Sequence, residues 1–290
     1  MIKKMFLSVL VIGILASSCS PNEHNSPKTT SLNLNLDGLE ALGDNYVYEG
    51  WIIVNGSPIS TGRFSSVVFP QPFIVDATQL KAATKFVLSI EPANDPDLGP
   101  ADTKILAGDF SGETASVNSN GIVADFSSVW GKYILATPTD NDDTNEASGV
   151  WFLDNSSGSA VAGLGLPTLS PGWKYEGWAV INGVPVSTGT FTDVAMADDN
   201  AESSIFKGNI GNGPGYPGED YLQNAPDGVM FPTDLKGKTI VISVEPSPDN
   251  SASPFTLKPL AHVVPDDAMN HTTINMGGGP VPELTGTVSR

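Results

Sequence analysis

The chain has 290 residues, 40% of them apolar, with 30 glycines and 23 prolines spread along its length. Asp and Glu outnumber Lys and Arg by 32 to 14, with no basic cluster to neutralise phosphates, so neither nucleic acid nor an anionic lipid surface suits the folded part. The single cysteine, Cys19, excludes an intrachain disulfide and a cysteine-ligated zinc.

Lys3 and Lys4 precede an almost wholly apolar run from Met5 to Ala16. That run is too short for the roughly 20 residues that span a bilayer, but it suits a secretory signal. Ala16, Ser17 and Ser18 lead directly to Cys19 and resemble a bacterial lipobox, although the bulky aliphatic residue usual three positions before the cysteine is replaced by Ala16. The expectation is a signal peptide over residues 1–18, a lipid on Cys19 and a disordered polar tether over 19–31. The membrane is then a partner through the lipid anchor, and the chain lies at the cell envelope outside the cytoplasm, periplasmic or surface-exposed.

An internal repeat organises the remainder. Residues 48–64 (YEGWIIVNGSPISTGRF) and 175–191 (YEGWAVINGVPVSTGTF) share 11 of 17 positions at an offset of 127. A second shared block, KFVLSIEP at 85–92 and TIVISVEP at 239–246, has an offset of 154, which leaves 27 extra residues in the second copy. They fall around 206–231, a Gly- and Pro-rich stretch expected to be a surface loop. Two repeats follow, 32–158 and 159–290.

Each repeat opens as a hairpin. Trp51 and Trp178 lie on apolar strands that end in Asn55-Gly56 and Asn182-Gly183, pairs suited to the positive φ angles of a tight turn. The return strands carry Ser-Thr-Gly, whose glycine suggests a bulge. Further short strands are expected at 86–90, 133–137, 150–153 and 240–244, separated by turn signals. The fold class is all-β: two tandem antiparallel β-sandwich domains.

The order Tyr-Glu-Gly-Trp, Asn-Gly-x-Pro, Ser-Thr-Gly-x-Phe and Val/Ile-Glu-Pro resembles the extracytoplasmic C-terminal domain of anti-sigma-K factors, over about half of each repeat. The matching positions are Trp51, Gly56, Pro58, Ser60, Gly62, Phe64, Glu91 and Pro92, then Trp178, Gly183, Pro185, Ser187, Gly189, Phe191, Glu245 and Pro246. That family also carries a cytoplasmic helical domain and a membrane-spanning helix, and this sequence has neither. The resemblance therefore implies a fold and an extracytoplasmic binding or sensing role, with no direct sigma-factor contact.

Candidate chemistry is sparse. Glu49 and Glu176 recur beside the paired tryptophans and are read as structural, like Glu91 and Glu245. Asp140, Asp142, Asp143 and Glu146 crowd one loop and are weak calcium candidates, because Asn145 stands where an EF-hand needs glycine. Asp95, Asp97 and Asp102 form a looser group. His24, His262 and His271 belong to no catalytic motif. Trp130 and Trp151 are the aromatics best placed for a sugar platform. The expectation is a non-catalytic module without cofactor, whose partner is an unidentified envelope protein or glycan. The alternatives are a surface glycan-binding or adhesion protein and, less favoured, a hydrolase.

Overall fold

The computed structural model describes residues 28–248, 251–279 and 284–290. The expected signal segment and the expected tether up to residue 27, with Cys19 and His24, lie outside the described residues. In chain order the elements are β1 (Thr29–Asp37), β2 (Tyr46–Val54), β3 (Ser57–Phe64), β4 (Gln71–Asp76), α1 (Ala77–Ala82), β5 (Lys85–Pro92), β6 (Lys104–Ser111) and β7 (Thr114–Asn118). Then come β8 (Trp130–Leu135), β9 (Gly149–Trp151), β10 (Leu153–Asp154), β11 (Val161–Ala162), β12 (Leu164–Gly165), β13 (Trp173–Ile181) and β14 (Val184–Phe191). The last are β15 (Gly218–Asp220), β16 (Thr239–Pro246), β17 (Leu260–Val263), β18 (Ile274–Met276) and β19 (Thr285–Ser289). The fold is all-β, as expected, with antiparallel pairing throughout.

β1 begins inside the expected tether. Thr29, Thr30 and Ser31 pair with Asp76, Val75 and Ile74 of β4. Thr29 and Thr30 are exposed and Ser31 is half-buried, which is why composition reads them as linker, yet β-branched threonines suit an outer strand.

The two hairpins are near copies. β2 pairs with β3 and β13 with β14, each with a bulge, between Gly50 and Trp51 and between Gly177 and Trp178. Asn55-Gly56 and Asn182-Gly183 have positive φ at both positions (51° and 79°, 54° and 85°), the twist of a two-residue hairpin turn. The bulge needs Gly50 and Gly177, since a Cβ would lie 2.5 Å and 2.2 Å from the hydroxyl oxygens of Thr61 and Thr188. Tyr48 stacks on Phe64 and Tyr175 on Phe191, the same contact in each copy.

The first unit is an eight-stranded sheet in the order β3-β2-β5-β6-β7-β19-β1-β4, folded so that β3 and β4 come back into contact. The second is split into β14-β13-β16-β17 and β12-β8-β9-β15, with β18 also on β8. There the isolated bridge from Leu260 of β17 to Gly278, just past the end of β18, links the two. In the second layer, β18-β8-β9-β15 corresponds to β7-β19-β1-β4.

Hydrogen bonding therefore does not follow a cut between 158 and 159. β8 and β9 belong with β15 and β18, and β19, which follows the strands of the second unit, lies between β1 and β7 of the first. The shared blocks cover the hairpin and the Glu-Pro strand alone, so their offset carries no information on the flanking strands. The buried side chains of both units join in one continuous apolar cluster from Leu32 to Val288.

Candidate functional site

The matched carboxylates of the repeats are turned inward. Glu49, 4% exposed, accepts from Ser60 and forms an ion pair with Arg63 Nε at 2.6 Å, and Arg63 Nη2 continues to Asp95 at 3.2 Å. Glu176 accepts from Ser187 in the same way. Thr190 stands where Arg63 would be, and the ion pair has moved to Lys174 and Asp199 at 2.7 Å, with Thr190 Oγ1 2.6 Å from the same carboxylate.

A second polar chain runs behind each tryptophan. Trp51 Nε1 donates to Ser89 Oγ at 2.8 Å, Ser89 donates to Glu91, and Glu91 accepts Ala101 N at 2.8 Å. Trp178 donates to Ser243 at 2.7 Å, Ser243 to Glu245, and Glu245 accepts Phe255 N at 2.8 Å. Burial pushes the Glu91 carboxyl above its ordinary range. With Glu91 and Glu245 at 1% and 0% exposure, these groups tie loops to strands from within the fold.

The acidic loop does not assemble a calcium site. Asp140 accepts from Asp142 N and from Asn145 Nδ2, Asp142 accepts from Thr144 N and Oγ1, and Glu146 accepts Thr137 N. Asp143 is exposed. Asp140, Asp142 and Glu146 each close a local turn, and among the described residues no group of three or more His, Cys, Asp or Glu side chains could hold a metal ion. The Thr144 hydrogen bonds hold Asp142 below the usual carboxylate range.

The histidines take separate roles. His262 Nδ1 is 2.9 Å from the hydroxyl of buried Tyr133, and burial lowers its pKa. His271, in a positive-φ turn, faces a single carboxylate, Glu146, at 3.1 Å. Of the tryptophans, Trp51, Trp151, Trp173 and Trp178 are buried and Trp130 is 49% exposed, so the tryptophans form no row at the surface.

What is not duplicated converges on one place. Ile134, Ala136, Trp151 and Leu153 form a small apolar cluster separate from the main core, with Tyr216 against it. The first part of the long insertion lies over it. Gly213 (φ +78) packs so closely on Trp151 that a Cβ would sit 2.1 Å from Cη2, and the Tyr216 hydroxyl donates to Ala160 O. Between insertion and sheet is a cleft of about 480 Å³ whose lining includes Ile134, Trp151, Asn155, Ile210, Pro214 and His271.

The cleft is braced from behind by Asp220, which is fully buried. Its carboxylate accepts Trp151 Nε1, Thr139 N and Thr139 Oγ1 at 2.8, 2.8 and 2.5 Å. Thr139 in turn takes Gly208 N on its hydroxyl at 2.7 Å and Ile210 N on its carbonyl at 2.8 Å. Beside Asp220, Glu219 accepts from Ser204 and from Asp220 N, and Asp198 accepts Gly218 N. Burial pushes Asp198 and Asp220 up to about 6 and Glu219 up to about 8. Sequence reading missed all three. Their only signals are a Glu-Asp pair closing a Gly-rich stretch and an Asp-Asp pair about 20 residues before it, which read as ordinary loop acids.

Comparison with protein-family models, with curated proteins and with solved structures finds no match. The fold and the cleft therefore stand on their own geometry.

Proposed function

We propose that the chain is a non-catalytic, lipid-anchored binding module of the cell envelope, built from two units like the extracytoplasmic domain of anti-sigma-K factors, and that it takes its partner in the Trp151 cleft. One observation carries this reading. The Glu, Ser and Trp side chains common to both repeats hydrogen-bond internally, whereas the unshared parts (the acidic loop, the long insertion and the His271 turn) meet around one concave apolar floor with a polar rim. Concave apolar surface with a few convergent polar groups is the usual form of a ligand site.

The test is capture of the intact lipoprotein with its neighbours from the native envelope by cross-linking, comparing wild type with Ile210→Asp and His271→Ala. A specific partner, protein or glycan, lost in both variants while thermal unfolding stays as in wild type supports the reading. A partner retained at wild-type level in both moves the site elsewhere.

A further inference from the structure

The insertion hangs from a buried group of like charges. Asp198, Glu219 and Asp220 are exposed by 6%, 3% and 0%, and among the described residues no ion pair reaches any of them. The charged groups facing them are also acidic: Asp140 from the loop before β9 acts on Asp220, Asp199 acts on Asp198, and Asp198 and Asp220 act on Glu219. The cation nearest in sequence, Lys207 on the insertion, is committed to Ala201 O, Glu202 O and Asn212 Oδ1. Ionising all three carboxyls would place uncompensated negative charge in a dry interior, where burial and mutual repulsion both oppose it.

Mechanical coupling to the cleft is direct. Asp220 holds Thr139 and the Trp151 indole, and Thr139 holds Gly208 and Ile210. Glu219 holds Ser204, at the root of the insertion, and Asp198 holds the Gly218 amide, just past the segment that covers Trp151. Gly149 makes room, since a Cβ there would lie 2.7 Å from Asp220 Oδ1 and 2.0 Å from Ala136 O.

We propose that Asp198, Glu219 and Asp220 form a proton-set latch on the insertion: with protons bound they hold 207–217 down over Trp151, and as they ionise they loosen it and open the cleft. This rests on the reading of that cleft as the binding site. The direction follows from linkage. The closed state binds these protons more tightly than an open, hydrated state does, so closure is favoured in mild acid and lost as pH rises.

The experiment is hydrogen exchange of the full chain, read at the Gly208 and Ile210 amides and the Trp151 indole N–H, with rates corrected for the intrinsic pH dependence of exchange. With Asp220 titrating near 6, the closed-to-open ratio falls about tenfold between pH 5 and pH 7 from this group alone. Asp198→Asn and Glu219→Gln, which each remove one ionisation, are expected to keep protection higher at pH 8 than wild type. Should either variant fail to fold, Thr139→Val supplies the second arm: it removes the hydroxyl link, and the Gly208 amide is then expected to exchange fast at every pH. Protection that is flat from pH 5 to 8.5 in wild type, or that rises with pH, overturns the latch. So does restoration of protection at pH 8 by calcium, which would make the group a cation site. None of these readouts involves the captured partner, so the latch and the binding site fail separately.

Discussion

The Trp178 indole lies 2.7 Å from Ser243 Oγ, and the same contact joins Trp51 to Ser89 at 2.8 Å, in each case with a glutamate two residues beyond the serine. The serine is a relay in which one hydroxyl takes the indole hydrogen and passes its own to the carboxylate. Ser243→Ala leaves a buried N–H and a buried carboxylate oxygen without this partner. The expected loss is about 1–3 kcal/mol, the desolvation cost of an unmet buried polar group. Urea unfolding measures it, and a Ser243→Ala midpoint equal to wild type would contradict the relay.

Arg63 separates the two units energetically. Arg63→Ala leaves Glu49 buried with Ser60 alone and should cost about 1–3 kcal/mol, whereas Thr190→Ala removes an exposed hydrogen bond to Asp199 and should cost under about 1 kcal/mol. Adding Glu49→Gln to Arg63→Ala should recover part of the loss. A double-mutant cycle with no coupling would show that the pair acts independently.

Gly213→Ala places a methyl group inside the Trp151 ring at a residue whose φ is +78°. The insertion must lift, so Trp151 fluorescence should shift to the red and quench more readily. The main unfolding transition should move little, because the ring's cluster is separate from the continuous core. A large fall in the melting temperature with unchanged emission would contradict this.

Asp154 is held well below the ordinary carboxylate range, first by the Lys132 ammonium at 2.5 Å and then by Ser156. A depressed carboxyl contributes stability that is present above its unfolded value, near 4, and is lost as pH falls below it. Lys132→Ala should therefore lower stability at pH 7 and flatten the decline between pH 4 and pH 2. An acid limb identical to wild type would show that the ion pair contributes nothing measurable.

Cys19→Ser should abolish incorporation of a fatty-acyl label and move the chain from the membrane fraction to the soluble one. Retention of both label and membrane association would remove the tether from the account.

The hairpins were legible because their determinants are local. Asn55-Gly56 and Asn182-Gly183 specify a turn, and the glycines at 62 and 189 mark where the return strand bulges (φ +125° and +116°). The long insertion was legible as a loop by its Gly and Pro content. Its purpose was not, because the contact of Gly213 with Trp151 joins segments about 60 residues apart. The position of β19 was hidden for a similar reason: Thr-Gly-Thr-Val-Ser alternates as any strand does, and nothing within it specifies β1 and β7 as neighbours. Asp220 was unreadable because its importance lies in three donors supplied by Thr139 and Trp151, far away in sequence.

The placement of β19 sets an order of assembly. A chain synthesised from its N-terminus delivers β1 and β7 first, then the strands of the second unit, and only afterwards the segment that fits between them. Until residue 289 has emerged, the earlier half waits with a gap one strand wide and two rows of unmet peptide groups facing it, while the later half already has its parts. The half that is made first is thus the last to close, and in that interval it is open to any extended peptide that arrives sooner.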